Sequence, residues 1–278
     1  MKALFDELSV TASHNVTKKY STSFYKSVST LDQSIRSDVH AIYGMVRFAD
    51  EIVDSFHDYD KKTLLEEFKQ DTYKAIERGI SLNAVLNAFQ ATVNKYAIDL
   101  DLIEQFFVSM EMDLQDVEYD QALYEVYILG SAEVVGLMCL KIFVNGDDAL
   151  YEELKPYAMK LGSAFQKINF LRDLKDDWGD LGRIYFPEVG AEGLTLENKL
   201  SIEEEIEAEF LEAYKGVLQL PKTARFGVYV AYTYYYNLLK KIKAKTVKDL
   251  MSQRVRIPNY SKYLLYVKSY LRHSFNAL

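Results

Sequence analysis

Apolar positions recur along this chain at i, i+3, i+4 and i+7 almost without interruption, which is the pattern of amphipathic helices and not of alternating strands. It predicts helices over about 14–29, 32–57, 60–78, 81–92, 98–115, 119–145, 147–178, 201–217, 221–248 and 260–275. Most connections between them are short. The exception, GDLGRIYFPEVGAEGLT at 179–195, gathers four glycines and a proline and is where a mobile lid is expected. No fixed-period repeat is visible, and a single domain over 1–278 is the expected organisation.

Composition sharpens this picture. With 49% hydrophobic residues in 278, the chain supplies a sizeable core, while 12 Gly, 4 Pro and the lack of Asn-Gly or Asp-Gly turns between alternating runs disfavour a β architecture. The fold class is all-α. The lone Cys139 excludes an internal disulfide and reads as a structural thiol, in keeping with a reducing, cytoplasmic setting. The start, MKALFDELSVTAS, lacks the long apolar segment of a secretory signal. The most apolar run, Val126 to Val144, carries Glu133 and Lys141 and is expected to be a core helix, not a bilayer span.

A net charge of −8 argues against nucleic-acid affinity, but the distribution is uneven, with ten Lys/Arg against one acid, Asp249, from Lys240 onward. A solvated helical face, phosphate binding and attraction to anionic lipid are the three readings of that basic tail.

Candidate chemistry lies in two stretches, RFADEIVD at Arg47 to Asp54 and NFLRDLKDD at Asn169 to Asp177. Each sets two aspartates four residues apart in an apolar helical pattern, so Asp50 with Asp54, and Asp173 with Asp177, share a helix face as two carboxylate claws. Such pairs repel, and the repulsion grows when they are partly buried, so a counter-cation resolves it. Mg²⁺, with Mn²⁺ as a substitute, suits this arrangement because it accepts one or two carboxylates and completes its shell with substrate phosphates. Arg47 and Arg172 stand beside the claws, where guanidinium groups share diphosphate charge. Gln166 and Asn169 fall on the face of the second claw, placed to orient phosphate or metal-bound water, and Asn169 joins the four aspartates as a candidate metal ligand. The competing reading is a pair of surface salt-bridge clusters.

The segments YSTSF at 20–24, AIYGMVRFADEIVD at 41–54, GSAEVVGLM at 130–138 and FQKINFLRDLKDDWGDLGRIYFP at 165–187 closely resemble, in order, the squalene and phytoene synthase family. The resemblance implies an all-α isoprenoid-synthase fold around a central hydrophobic cavity. It implies metal and diphosphate roles for Asp50, Asp54, Asp173 and Asp177, and substrate-binding roles for Ser21, Phe24, Tyr43, Arg47, Gln166, Asn169 and Arg172, with Tyr43 and Arg47 counted among the catalytic residues. YYNLLKKI around Tyr235 and QRVRIP around Arg254 look like the family's late tyrosine and arginine. Because Tyr232, Tyr234, Tyr235 and Tyr236 crowd one turn, an aromatic core helix competes with that assignment. Lys167, Ile168, Lys175 and Asp176 depart from the family's usual residues and bear on the local charge of the second site.

The implied reaction is head-to-head condensation of two geranylgeranyl diphosphates to phytoene through a cyclopropyl diphosphate, without NADPH. The alternative is squalene or dehydrosqualene synthesis from two farnesyl diphosphates. A head-to-tail elongase, a terpene cyclase and a noncatalytic scaffold of the same fold are the competing classes. Expected partners are two prenyl diphosphates, a membrane touched peripherally on its cytoplasmic face for product release, and a downstream carotenoid desaturase.

Overall fold

The computed structural model describes residues 1–115, 119–179, 185–189 and 193–274, apart from the side chains of 176–179, 259 and 274. Its regular structure is helical, with no strand among the described residues. The first two helices, α1 (Lys2–Tyr20) and α2 (Thr22–Val28), replace the predicted single helix over 14–29. Ser21, extended at φ −139° and ψ 96°, breaks the run, and its hydroxyl accepts the Phe24 N–H at 3.3 Å as the cap of α2. Hydrophobic periodicity misses the first half of α1 for a physical reason. The buried side of that helix is Ser9, Ser13 and Thr17, small hydroxyl residues that let it lie close on α3 (Gln33–Ser55). Ser9 and Thr17 donate to carbonyls one turn back, which offsets the burial of their hydroxyls, whereas the Ser13 hydroxyl is buried without a partner.

Beyond α3 the chain forms α4 (Lys61–Arg78), which ends at Gly79 with φ +68°, then α5 (Ala84–Tyr96) and α6 (Leu100–Met112). Ile42, Met45 and Val53 of α3 pack with Phe89, Phe106 and Phe107 into the first core. The expected helix over 119–145 is α7 (Gln121–Ile128) and α8 (Val134–Val144), joined by a π-helical turn at Leu129–Glu133. This run is long and apolar enough to cross a bilayer by length and composition, yet Leu137, Met138, Leu140 and Ile142 are buried in the protein interior.

The π turn exists where α6 approaches most closely. A Cβ on Gly130 would sit 2.4 Å from the Gln105 carbonyl oxygen, a rigid backbone atom. Gly130→Ala should therefore lower stability by about 1–3 kcal/mol, measured as the urea midpoint. An unchanged midpoint would show that the two segments separate freely.

The long α9 (Asp148–Gly179) runs beside α10 (Leu196–Gln219) and crosses α8. Thr195 and Asn198 form a reciprocal capping box that starts α10 earlier than its hydrophobic pattern. The segment predicted to be a lid lies in part outside the described residues, at 180–184 and 190–192. Its described part is anchored in the interior: Tyr185 stacks on Phe170 at 4.1 Å and 9°, and Phe186, Val189 and Leu194 are buried. The predicted helix over 221–248 divides into α11 (Lys222–Lys243) and α12 (Val247–Ser252) because Thr246 and Asp249 cap a new start, and α13 (Asn259–Ser274) follows. The second core joins α9, α10, α11 and α12 through Ile168, Leu171, Ile206, Phe210, Leu239 and Leu250.

Candidate active site

Between these cores lies a cavity of about 490 Å³, lined from α2, α3, α6, the π turn, α8, α9, α10 and α11. Its polar residues come chiefly from two helices. On α3, Tyr43, Arg47 and Asp50 follow one another at helical spacing and face the cavity. On α9, Gln166, Asn169 and Arg172 do the same. Ser21, Phe24, Tyr235 and Arg254 complete the set, so ten of the sequence-predicted residues line one space. Asp54 and Asp173 lie on the same helices but are not part of the lining, and the Asp177 side chain falls outside the described residues.

The charges are mutually engaged. Arg47 pairs with Asp50 and also with Glu51, and its guanidinium carbon rests 4.5 Å from the centre of the Tyr20 ring. Burial works against the Arg47 charge, but Asp50 and Glu51 outweigh it and hold the group's pKa above its ordinary value. Its Nε is nevertheless buried with no hydrogen-bond partner, a donor left over at the cavity wall. Across the cavity Asp173 accepts from Arg172 Nε at 2.8 Å and from Arg254 at 2.8 and 3.1 Å. Gln166 accepts from Asn169 Nδ2 at 3.2 Å, and Tyr235 donates to Asn169 Oδ1 at 3.3 Å.

Tyr235 is thereby singled out from its neighbours: Tyr232 and Tyr234 are buried in the interior and Tyr236 donates to Glu207. It also stacks on Phe165 at 4.0 Å, while Phe24 stacks on Tyr43 at 4.9 Å. Burial pushes the Tyr43 phenol up to about 12, and the Cys139 thiol, which also lines the cavity, up to about 12. Both stay protonated near neutral pH and are weak nucleophiles.

Three contributors escaped the sequence reading. Tyr20 and Glu51 flank named motif residues; Glu51 stands four residues after Arg47, a spacing that could have found it, whereas only the fold brings Tyr20 against Arg47. Ser131, in the π turn, lines the cavity with a buried hydroxyl oxygen that has no partner. Lys167 turns away from the cavity to α10, where its ammonium lies 3.0 Å from Glu209 and also pairs with Glu205. Its departure from the family pattern therefore leaves the Asn169–Asp173 face unaltered.

Behind that face, burial raises the Glu133 carboxyl to about 7, reinforced by Glu209 and opposed by Lys160 and Lys167. A raised carboxyl binds a proton in the folded state that the unfolded chain has already lost. Its contribution to stability is thus present below the ordinary value and disappears as pH rises through about 7. Glu133→Gln should gain stability relative to the parent as pH climbs across that window, read from denaturation midpoints at pH 5 and 8 (roughly two units below and one unit above the shifted value). A constant difference would remove the assignment.

The sequence profile described as Squalene/phytoene synthase matches residues 17–261. Phytoene synthase 3 of Zea mays is 27% identical over 92% of this chain, which spans only 64% of that plant protein. The 4,4'-diapophytoene synthase of Staphylococcus haemolyticus is 26% identical over 94% of this chain and 92% of its own length. Among solved structures, a ligand-bound dehydrosqualene synthase superposes with a TM-score of 0.81 at 21% identity, covering 96% of this chain and 98% of the other. A squalene synthase from Alicyclobacillus acidocaldarius gives 0.74 at 19% identity, covering 85% and 93%. These superpositions show the isoprenoid-synthase fold.

Proposed function

The chain belongs to the squalene/phytoene synthase family, and from that premise we propose that it condenses two geranylgeranyl diphosphates head to head into phytoene, through a cyclopropyl diphosphate. One observation carries the proposal: Arg47 and Asp50 of α3 and Arg172 of α9, which Asp173 holds from behind the lining, meet at one cavity whose remaining walls are mostly apolar. That juxtaposition suits a ligand with an anionic head and a hydrocarbon tail.

Mg²⁺, or Mn²⁺, is the proposed metal. Among the described residues no three of His, Cys, Asp or Glu are grouped closely enough to hold an ion by themselves. The available donors, carboxylates of Asp50, Asp54 and Asp173 and the amide oxygen of Asn169, are hard oxygens, and the diphosphate would supply the rest. Asp177 is proposed on sequence alone. Bound there, the ion would withdraw charge from the departing diphosphate. Arg47 offers its unpaired Nε to the same anion, and Arg172 and Arg254 exchange part of their hold on Asp173 for phosphate oxygens.

Departure of the diphosphate with its bonding electrons would leave an allylic cation, which the other lining residues protect. Phe24, Tyr43, Phe165 and Tyr235 present ring faces, each contributing about 0.5–2 kcal/mol to a nearby positive charge. Burial keeps Cys139 and Tyr43 in their protonated, less nucleophilic forms, and the apolar walls limit access of water to the cation. No residue is assigned as terminal base; released diphosphate is proposed for that role. Because loss of a proton ends the sequence, NADPH is not required for phytoene. The product is pure hydrocarbon, so release into a lipid phase is proposed, with a carotenoid desaturase as the consumer and the cytoplasmic membrane face as the location.

The test is product identification after incubation with Mg²⁺ and geranylgeranyl or farnesyl diphosphate, each with and without NADPH. Phytoene from the C20 substrate alone supports the proposal. A C30 hydrocarbon, formed from farnesyl diphosphate in preference, would replace it with the dehydrosqualene or squalene reading, and no hydrocarbon from either would leave the scaffold reading.

A further inference from the structure

Helix α13 faces the wrong way for a helix held by its apolar stripe. Tyr260, Tyr263, Leu264, Val267, Tyr270 and Leu271 share one face by helical spacing. That face points outward: Tyr260 is 70% exposed, Tyr263 65%, Leu264 63%, Tyr270 53% and Leu271 49%. The inward side is poorer in apolar groups, with Ser269 buried and Tyr266 and His273 set against Phe226 at 6.1 and 4.9 Å; Tyr270, at the border of the outward face, also touches Phe226 edge-on at 6.0 Å. A solvated helix would carry the opposite arrangement.

Charge indicates what covers this stripe. The helix contains Lys262, Lys268 and Arg272 and no acid, within a tail holding ten Lys/Arg against one Asp in a protein of net charge −8. Tyrosine and leucine bordered by cations, on a helix lying along the surface, match the interface of an anionic bilayer, where phenol rings sit at the headgroups. A second copy of the chain fits less well, since two-fold pairing of this stripe would bring like charges together.

The position is also informative. Phe226, on which α13 rests, immediately precedes Gly227 and Val228 of the cavity lining. Lys262 at the other end reaches Thr22 at 3.4 Å, one residue from Ser21 of the same lining. We propose that α13 is a membrane-docking helix that lays Tyr260, Tyr263, Leu264 and Leu271 into an anionic lipid surface, with Tyr270 at the border between lipid and Phe226, holding the cavity-bearing face of the protein beside the bilayer. Its purpose in delivering prenyl substrates and accepting hydrocarbon rests on the synthase reading, whereas the docking itself is read from the surface.

The experiment is co-sedimentation of the full chain with vesicles of phosphatidylcholine alone and of phosphatidylcholine mixed with phosphatidylglycerol. The parent should partition to the mixed vesicles, and the Tyr263→Ser/Leu264→Ser/Leu271→Ser variant should lose at least about tenfold in partitioning. Lys268→Glu/Arg272→Glu should lose a similar factor, and only for the anionic vesicles. Because these side chains are on the surface, melting temperatures should be unchanged. Equal partitioning of parent and apolar variant, no partitioning of the parent, or a parent dimer that the apolar variant dissolves would each overturn the proposal. Hydrocarbon synthesis in detergent micelles separates the two readings: it should be the same for parent and variants. Uniform inactivity there would count against the synthase reading while the vesicle result stands.

Discussion

Asp173→Ala, and separately Asp50→Ala, should each reduce hydrocarbon formation by about a thousandfold or more while leaving the far-UV circular dichroism of the helices in place. Asp173 accepts from both Arg172 and Arg254, and Asp50 pairs with Arg47, so each carboxylate fixes the guanidinium groups that border the cavity. Under the proposed reaction the same oxygens also hold the metal, and losing one such charge-stabilising contact is worth about 4 kcal/mol at the transition state, or about a thousandfold in rate. The effect on folding should be much smaller. Asp50 and Asp173 retain 36% and 18% side-chain exposure, so water reaches the arginines once the partner is gone. Asp173→Asn distinguishes charge from shape: it preserves the volume and part of the hydrogen bonding, yet should remain as inactive as the alanine variant. Retained activity in both alanine variants would refute the metal assignment, whatever product the parent makes.

What the sequence disclosed and what it withheld follow from the range of each interaction. The aspartate and arginine placements on α3 and α9 were legible because i, i+3 and i+4 neighbours share a helix face in any fold. The break at Ser21 was not, since it depends on whether a serine caps a new helix or continues an old one, a difference of about 1 kcal/mol. The length of α1 was hidden because its contact side is hydroxyl, not apolar. The resemblance pointed to Tyr235, but only Asn169 and Phe165 beside it separate it from the core aromatics crowded around it at 232–236. Likewise the spacing in α13 establishes that its tyrosines and leucines share a face, but only the packing on Phe226 decides that the face points outward. Local periodicity fixes which residues travel together; the direction of the face is a property of the neighbours.

The location of the cavity's apolar end is another such property, and it sets the second large expected effect. Leu154 and Asn169 both line the cavity on α9, and at 1.5 Å per residue they are about 22 Å apart along its axis. With diphosphate held near Asn169 and Arg172, a prenyl tail must run toward Leu140, Phe143, Leu154, Tyr157, Leu220 and Val228. That end cannot yield easily. Gly216 meets Tyr157 so closely that an added Cβ would lie 2.3 Å from the Tyr157 Cβ, and Leu140, Leu154 and Leu220 are buried in a small core of their own. Val228 is the adjustable wall, half-buried and facing the cavity from α11. Val228→Phe should therefore remove room for the last isoprene unit. Five carbons at about 0.8 kcal/mol each amount to about 4 kcal/mol of burial, enough to shift kcat/KM from C20 toward C15 diphosphate by up to about a thousandfold. Competition between geranylgeranyl and farnesyl diphosphate, with C40 and C30 hydrocarbons counted, measures the shift. Variants that lose both activities equally, or keep the parent ratio, would show that tail length is measured elsewhere. Val228→Ala should move the ratio the other way, and by less, because the two methyl groups removed cannot make room for a whole unit while Tyr157 and Gly216 stay locked together.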